Sequence, residues 1–213
     1  MHQPPPFYKN FDNTHCFECV IRMAFGHFQP AVTTTWDDIT AITGKIPGRY
    51  TWPTQAVVNL CEQGYAVELI TAFDFEAFAE SGVDYLKDAF GRKVAKIQAK
   101  NSDISYEQEY ILNLIKNKKA RLIRRIPTLQ DVQSYLENGY LVGSWINGRT
   151  LNGRRGYEGH FVLVYGMEGD KVHLHDPGQP AHHAMVLATE KFLTACTTPS
   201  PASWYIMAIK YTG

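Results

Sequence analysis

The clearest hydrophobic pattern begins just after an Asp-Asn-Thr cluster at positions 12–14. Apolar residues nearly encircle a helical projection of the next ten positions: Cys16, Phe17, Cys19, Val20, Ile21, Met23, Ala24 and Phe25. A helix that is apolar on all sides must be buried, so this segment predicts a core helix. The polar cluster is a typical helix start, and Gly26 is the predicted end.

Amphipathic helices and turns alternate through the middle of the chain. Helices are predicted at 36–43, with Thr35 as cap, and at 54–63, and they flank a Gly- and Pro-rich loop at 44–53. Residues 65–70 alternate like a strand. Residues 74–118 have a helical pattern with breaks near Gly91 and at 101–102, and a further helix follows Thr128.

The last third of the chain changes to the period of a β-strand. Strands are predicted at 140–146, 159–165, 171–175 and 204–210, and turn residues at 166–170 join the middle two as a hairpin. Helices that come first and antiparallel strands that come last predict an α+β fold. A length of 213 residues predicts a single domain, 1–213.

Charge and composition argue against two classes of partner. With 21 basic and 21 acidic side chains, the formal net charge is zero, so no nucleic-acid partner is predicted. The basic run at 116–125, which includes Lys118, Lys119, Arg121 and Arg124, is interpreted as a solvated helix end or loop. No apolar run approaches the roughly 18 residues of a membrane span, and no signal peptide precedes the chain, so a cytoplasmic protein is expected.

Cys16 is the candidate nucleophile. The unpaired N–H groups at a helix N-terminus favour a thiolate, as does a nearby imidazolium, and Cys16 lies in the first turn of the predicted core helix. Cys19 lies one turn further on, where the helix dipole is weaker. All four cysteines are expected to be thiols in a reducing cytosol.

His160 and Asp176 are the candidate partners of this thiol. His160 stands near the start of a predicted strand, directly after Gly159, and the next strand ends at Asp176 before Pro177. A hairpin with its turn near Gly169 brings positions 160 and 176 close together. A carboxylate there fixes the imidazole tautomer and supports its charged form.

Two segments resemble a known family. Residues 16–23, CFECVIRM, resemble the nucleophile helix of papain-like cysteine peptidases of the bacteriocin-processing type, which cut after double-glycine leaders. Residues 159–177 look like the strand–turn–strand of that family, which carries the base histidine and the orienting aspartate. The resemblance implies a papain-like fold and a Cys16–His160–Asp176 triad that acts on a peptide or acyl substrate. It leaves about residues 70–126 as a helical insertion or lid of unknown role.

Departures from the family pattern bear on the substrate. The glutamine that serves the oxyanion in the family is replaced by Asn10, with Asn13 as a second candidate. Phe17 follows the nucleophile where the family has a small or polar residue. We take Phe17, Trp52, Trp145 and Gly159 as candidate substrate-binding residues. The loop at 148–156, with Arg149, Arg154 and Arg155, either lines the cleft or is simply solvated.

Other functions remain open from the sequence. The same fold hosts acyltransferases and inactive peptide-binding modules. The Cys-x-x-Cys at 16–19 is a possible zinc half-site, but no second ligand pair with its own short spacing accompanies it, so no metal and no cofactor are predicted. The sequence gives no oligomeric state.

Overall fold

The computed structural model describes residues 3–117 and 120–213. Within them the α-helices are α1 (Cys16–Phe28), α2 (Trp36–Thr43), α3 (Pro53–Glu62), α4 (Phe75–Ser81), α5 (Val83–Phe90), α6 (Arg92–Asn101), α7 (Ile104–Asn117), α8 (Leu129–Glu137), α9 (Gly148–Leu151) and α10 (Thr189–Thr197). The strands are β1 (Tyr65–Thr71), β2 (Arg121–Arg124), β3 (Leu141–Asn147), β4 (Gly159–Glu168), β5 (Lys171–Asp176), β6 (His182–Ala188) and β7 (Tyr205–Tyr211). A 3₁₀ turn, Pro201–Ser203, precedes β7.

The strands form one mixed sheet in the order β2-β1-β7-β3-β4-β5-β6. Every neighbouring pair is antiparallel apart from β1 and β2, which run parallel. The fold is therefore mixed α/β. The strands of the last third are antiparallel, as predicted, and the parallel pair comes from β1 and β2 earlier in the chain. The last strand lies between β1 and β3, so it joins the two halves of the chain.

Helix α1 packs on one face of this sheet. Val20, Ile21 and Met23 are fully buried, in the same core cluster as Phe161 and Leu163 of β4. The predicted core helix is confirmed, but its predicted end at Gly26 is wrong. The helix continues to Phe28, and Gly26 within it serves close packing instead, because a Cβ there would approach the ring of Pro6 to 3.1 Å.

The opposite face of the sheet is covered by α8 and α10. Val132 of α8 and Phe192 of α10 pack with Val162 and Val164 of β4. Because both faces of β4 are buried, its sequence is a continuous apolar run instead of an alternating one. The strand β6 and the helix α10 lie outside the elements that the sequence predicts.

Helices α4 to α7 form a separate cluster around Phe78. The predicted breaks near Gly91 and Ser102 are confirmed, and a further break occurs at Gly82. Positions 118 and 119 of the predicted basic run lie outside the described residues. The rest of that run is divided. Lys116 lies exposed at the end of α7, as predicted, whereas Arg121 and Arg124 belong to β2 and pair with Glu68 and Asp74.

In the part of the chain that the structure describes, no helix is both long and apolar enough to cross a membrane.

Candidate active site

Cys16 is the first residue of α1, and its side chain is half-buried. The helix has no side-chain cap, and its first backbone bond runs from the Cys19 N–H to the His15 carbonyl at 2.9 Å. The first N–H groups of the helix are therefore left for other partners, and the positive end of the helix dipole lies at the thiol.

Cys19 occupies a different environment although it is only one turn away. Its side chain is fully buried in the core beneath the sheet. Burial, together with the neighbouring Cys16 and Glu18, raises the pKa of the Cys19 thiol far above its ordinary value. Of the two cysteines of this helix, Cys16 is the one that reaches a cleft.

His160 and Asp176 form a close buried pair. Nε2 of His160 lies 2.5 Å from Oδ1 of Asp176, and their side chains are 11% and 1% exposed. The register of β4 and β5 explains the approach: Leu163 pairs with His175, so Asp176 continues along β5 towards the start of β4. Both side chains thus come from strand ends, where they meet the N-terminus of α1.

The imidazole of His160 has two neighbours that favour its charged form. Nε2 faces Oδ1 of Asp176, and the ring shares the cleft with the Cys16 thiol. Burial disfavours the charged imidazole, but the bonds and charges of Asp176 and Cys16 outweigh it and raise the pKa of His160 well above its ordinary value. Burial likewise opposes the charged carboxylate, yet the bond with His160 prevails and lowers the pKa of Asp176.

Glycines surround the imidazole. A Cβ at Gly178 would stand 3.0 Å from Nε2 of His160, and one at Gly148 would stand 3.1 Å from its Cβ. The Gly178 N–H also donates to Oδ1 of Asp176 at 2.8 Å. Gly148 thus packs on the Cβ end of the His160 side chain, and Gly178 packs on its Nε2 edge. Sequence analysis missed Gly178 and named Gly148 only as the first residue of the loop at 148–156, because no local pattern distinguishes these two from ordinary loop glycines.

Asn10 lies beside the thiol and is almost fully buried, at 4% exposure. Its Oδ1 accepts from the N–H groups of His15 and Asp12 at 3.2 and 3.3 Å. Its backbone N–H donates to the Pro177 carbonyl at 2.8 Å, which ties it to the loop after Asp176. With Oδ1 held in this way, the Nδ2 amide is the donor that Asn10 offers to the cleft.

Asn13, the second candidate, also lines the cleft but in another way. It is exposed, and its φ of 65° places it in the left-handed region. No hydrogen bond of its side chain is found within residues 3–117 and 120–213. Asn10 is consequently the better-positioned donor of the two.

The cleft brings together residues from three parts of the chain. It is lined by Asn10, Asn13, Cys16, Gly148, Arg149, Asn152, Arg154, Glu158, Gly159, His160, Asp176, Gly178 and Gln179. Gly159 is among them, as expected, although its own lack of a side chain serves Trp145: a Cβ there would collide with the indole ring. Trp145, another candidate substrate-binding residue, is outside this lining: it stacks on Tyr205 and donates to the hydroxyl of Tyr157 at 3.2 Å.

Two candidate substrate-binding residues lie elsewhere. Phe17 is 5% exposed and packs on Phe161, because the second position of α1 faces the sheet core. Trp52 packs on Phe78 and donates to Ser102 at 3.0 Å, so it belongs to the cluster of α4 to α7. The expectation that Phe17 and Trp52 line the cleft is wrong.

The question of a metal site concerns the Cys-x-x-Cys pair at 16–19 and any other cluster of ligand side chains. In the part of the chain that the structure describes, no group of three His, Cys, Asp or Glu side chains is arranged to hold a metal ion. The Cys-x-x-Cys pair is divided between the cleft and the core, so a zinc site at these cysteines has no geometric support.

Comparison with known proteins adds no relative: no protein-family model and no curated protein sequence matches this chain. The chemistry of Cys16, His160, Asp176 and Asn10 therefore carries the functional argument.

Proposed function

We propose that the protein is a cysteine-dependent hydrolase that cleaves a peptide or amide bond through a thioester intermediate on Cys16. One observation carries the proposal: the buried His160–Asp176 pair lines the same cleft as the Cys16 thiol, which stands at the N-terminus of a buried helix. The cleft thus holds a nucleophile, a base and a group that orients the base.

In the first step the sulfur of Cys16 attacks the carbonyl carbon of the substrate. His160 takes the thiol proton as the base, and the raised pKa of the imidazole favours its charged form. The C–N bond then breaks, and the imidazolium gives its proton to the departing amine. Asp176 stays ionised and keeps the ring in one orientation.

Negative charge develops on the carbonyl oxygen during this attack. The Nδ2 amide of Asn10 and the backbone N–H of Cys16 are the proposed donors to it, since both groups lie beside the thiol. Asn10 is preorganised because its Oδ1 already accepts two backbone bonds. Preorganised donors stabilise the oxyanion with no reorganisation at the moment of reaction.

In the second step a water molecule attacks the thioester. Neutral His160 takes a proton from this water, the C–S bond breaks, and the sulfur leaves as the thiolate. The substrate acyl group departs as a carboxylic acid, and the thiolate–imidazolium pair is restored.

The architecture agrees with a papain-like assignment. A buried helix carries the nucleophile at its first residue, and adjacent antiparallel strands carry the base and the aspartate. The sequence resemblance to bacteriocin-processing peptidases covers these same two segments. We therefore include a papain-like fold in the proposal, with α4 to α7 as an insertion.

An acyl transfer assay tests the proposal without knowledge of the natural substrate. p-Nitrophenyl acetate should give a burst of nitrophenolate, and mass spectrometry should find the acetyl group on Cys16. Cys16→Ala should abolish the burst, whereas Cys61→Ala should retain it. Acetylation at Cys61 in place of Cys16, or a burst that survives Cys16→Ala, would refute the proposal. A peptide library then defines the amide substrate.

A further inference from the structure

The connection between β3 and β4 is an ordered structure. We call residues 148–156 the arginine loop. Asn147, which is 1% exposed, holds this loop: its Oδ1 accepts from the N–H groups of Arg149 and Glu158 at 3.0 and 3.2 Å. Its Nδ2 donates to the Gly156 carbonyl at 3.0 Å. A single buried amide thus fixes both ends of the loop.

The arginine loop lies against the proposed general acid. The α-carbon of Gly148 packs on His160, and the Gly148 N–H donates to the Glu158 carbonyl at 2.8 Å. Since His160 is the group that protonates the departing amine, the loop flanks the side of the cleft where the leaving group sits.

The loop presents uncompensated positive charge to the cleft. Arg149 and Arg154 both line it. Arg149 has a carboxylate neighbour, with Nε 3.7 Å from Oε2 of Glu158, and it donates to the Arg155 carbonyl at 3.4 Å. Within the described ranges, no carboxylate lies within 4 Å of the Arg154 guanidinium. Asp176 also lines the cleft, but it is buried and engaged by His160.

We propose that Arg154 selects substrates with a carboxylate on the leaving-group side of the scissile bond, such as peptides with an acidic residue there. The guanidinium donates in a planar fork that matches a carboxylate. Amide groups of Asn152 and Gln179 lie along the same cleft and complete a polar surface. This inference rests on the proposed function of Cys16, and it names the substrate class of that site.

A pair of alkylating reagents tests the selection directly. N-iodoacetyl-β-alanine and its carboxamide differ only in the charge of the terminal group. The sulfur displaces iodide from both, and the chain that carries the terminal group stays attached to the alkylated carbon and extends along the cleft. We expect Cys16 to react faster with the acid, and Arg154→Gln to lower the acid-to-amide rate ratio at Cys16 about two- to fivefold, as for an exposed ion pair. High salt should lower the wild-type ratio in the same way.

Arg155→Gln is the matched control, because Arg155 belongs to the same loop but does not line the cleft. It should leave the ratio unchanged. If Cys16 reacts rapidly with both reagents but Arg154→Gln leaves the ratio unchanged, or Arg155→Gln lowers it equally, the inference is wrong while the proposed function stands. If Cys16 reacts no faster than Cys61 with either reagent, the proposed function itself fails, and the inference fails with it.

Discussion

Gly178 packs against the edge of the His160 imidazole, where a Cβ would stand 3.0 Å from Nε2 and 2.9 Å from Oδ1 of Asp176. Contacts of this length are too close for a methyl group, so the pair accommodates only glycine here without a shift. The loop after β5 therefore controls the position of the base as well as its charge.

Gly178→Ala should displace the imidazole and lower the rate of Cys16 acylation about tenfold or more, because small displacements of reacting groups are costly. The unfolding midpoint in urea should change little. Gly169→Ala is the control: its φ of 57° lies in a turn far from His160, so it should lose about 1 kcal/mol of stability with acylation intact. Equal acylation by Gly178→Ala and the wild type would contradict this account of Gly178.

Asn10→Asp separates the two roles of the Asn10 amide. The variant keeps an oxygen for the N–H groups of His15 and Asp12 but lacks the Nδ2 donor. Acylation should fall about 100-fold or more, as for loss of an oxyanion donor. Alkylation of Cys16 at pH 8 forms no oxyanion and should keep most of its rate. Asn13→Ala should affect neither reaction; an acylation loss in Asn13→Ala instead would reassign the donor.

His175 anchors the N-terminal arm, residues 3–10, which ends at Asn10. Nε2 bonds the Pro5 carbonyl at 2.9 Å, and Nδ1 accepts from the Ala184 N–H at 3.0 Å, which fixes the proton on Nε2. His175→Leu leaves both partners unpaired and should cost about 1–3 kcal/mol in urea unfolding. It should also slow acylation, because the arm loosens.

His175→Gln is the matched variant, since its amide both donates and accepts. It should recover part of the stability and part of the acylation rate. If His175→Leu matches the wild type in both measurements, the arm is held by other contacts.

Glu107 makes stability depend on pH. This carboxyl is buried between α7 and α3, where it accepts from the Thr54 hydroxyl at 2.6 Å, and burial raises its pKa to about 7. The folded state therefore binds its proton more tightly than the unfolded state, so stability falls as pH rises from about 4.5 through about 7. Glu107→Gln should raise the unfolding free energy at pH 8 by about 1–3 kcal/mol and have little effect at pH 4.

Exposed Glu109 on the same helix provides the comparison. Glu109→Gln should leave the pH dependence of urea unfolding intact. A pH profile that is the same in Glu107→Gln and the wild type would mean that another group titrates in this range.

Sequence patterns were informative where one local period decides the structure. Helix α1 and the hairpin of β4 and β5 depend on contacts between residues that are near in sequence. The local pattern therefore predicted which elements carry Cys16, His160 and Asp176. Strand β2 was not predicted, because a segment of four residues with arginine at both ends resembles a solvated loop. Its strand conformation depends on parallel pairing with β1, far away in the chain.

The cleft itself was harder to predict than its chemistry. Phe17 and Trp52 are aromatic residues that were expected at the site. Instead, Phe17 lies on the face of α1 that is buried in the core, and Trp52 packs against the cluster around Phe78. Gly148 and Gly178 matter through what their missing side chains allow, which depends on the three-dimensional path of two loops. Such close approaches have no signature in a single sequence.

The most direct test of the central claim is the rate of iodoacetamide labelling at pH 6, resolved by cysteine, in wild type and His160→Ala. A free thiol is almost wholly protonated at this pH and reacts slowly. The account predicts that Cys16 labels much faster than Cys61, and that His160→Ala lowers the Cys16 rate about tenfold or more. A Cys16 that labels no faster than Cys61, or that is unaffected by His160→Ala, would contradict the thiolate–imidazolium pair on which the proposed hydrolase depends.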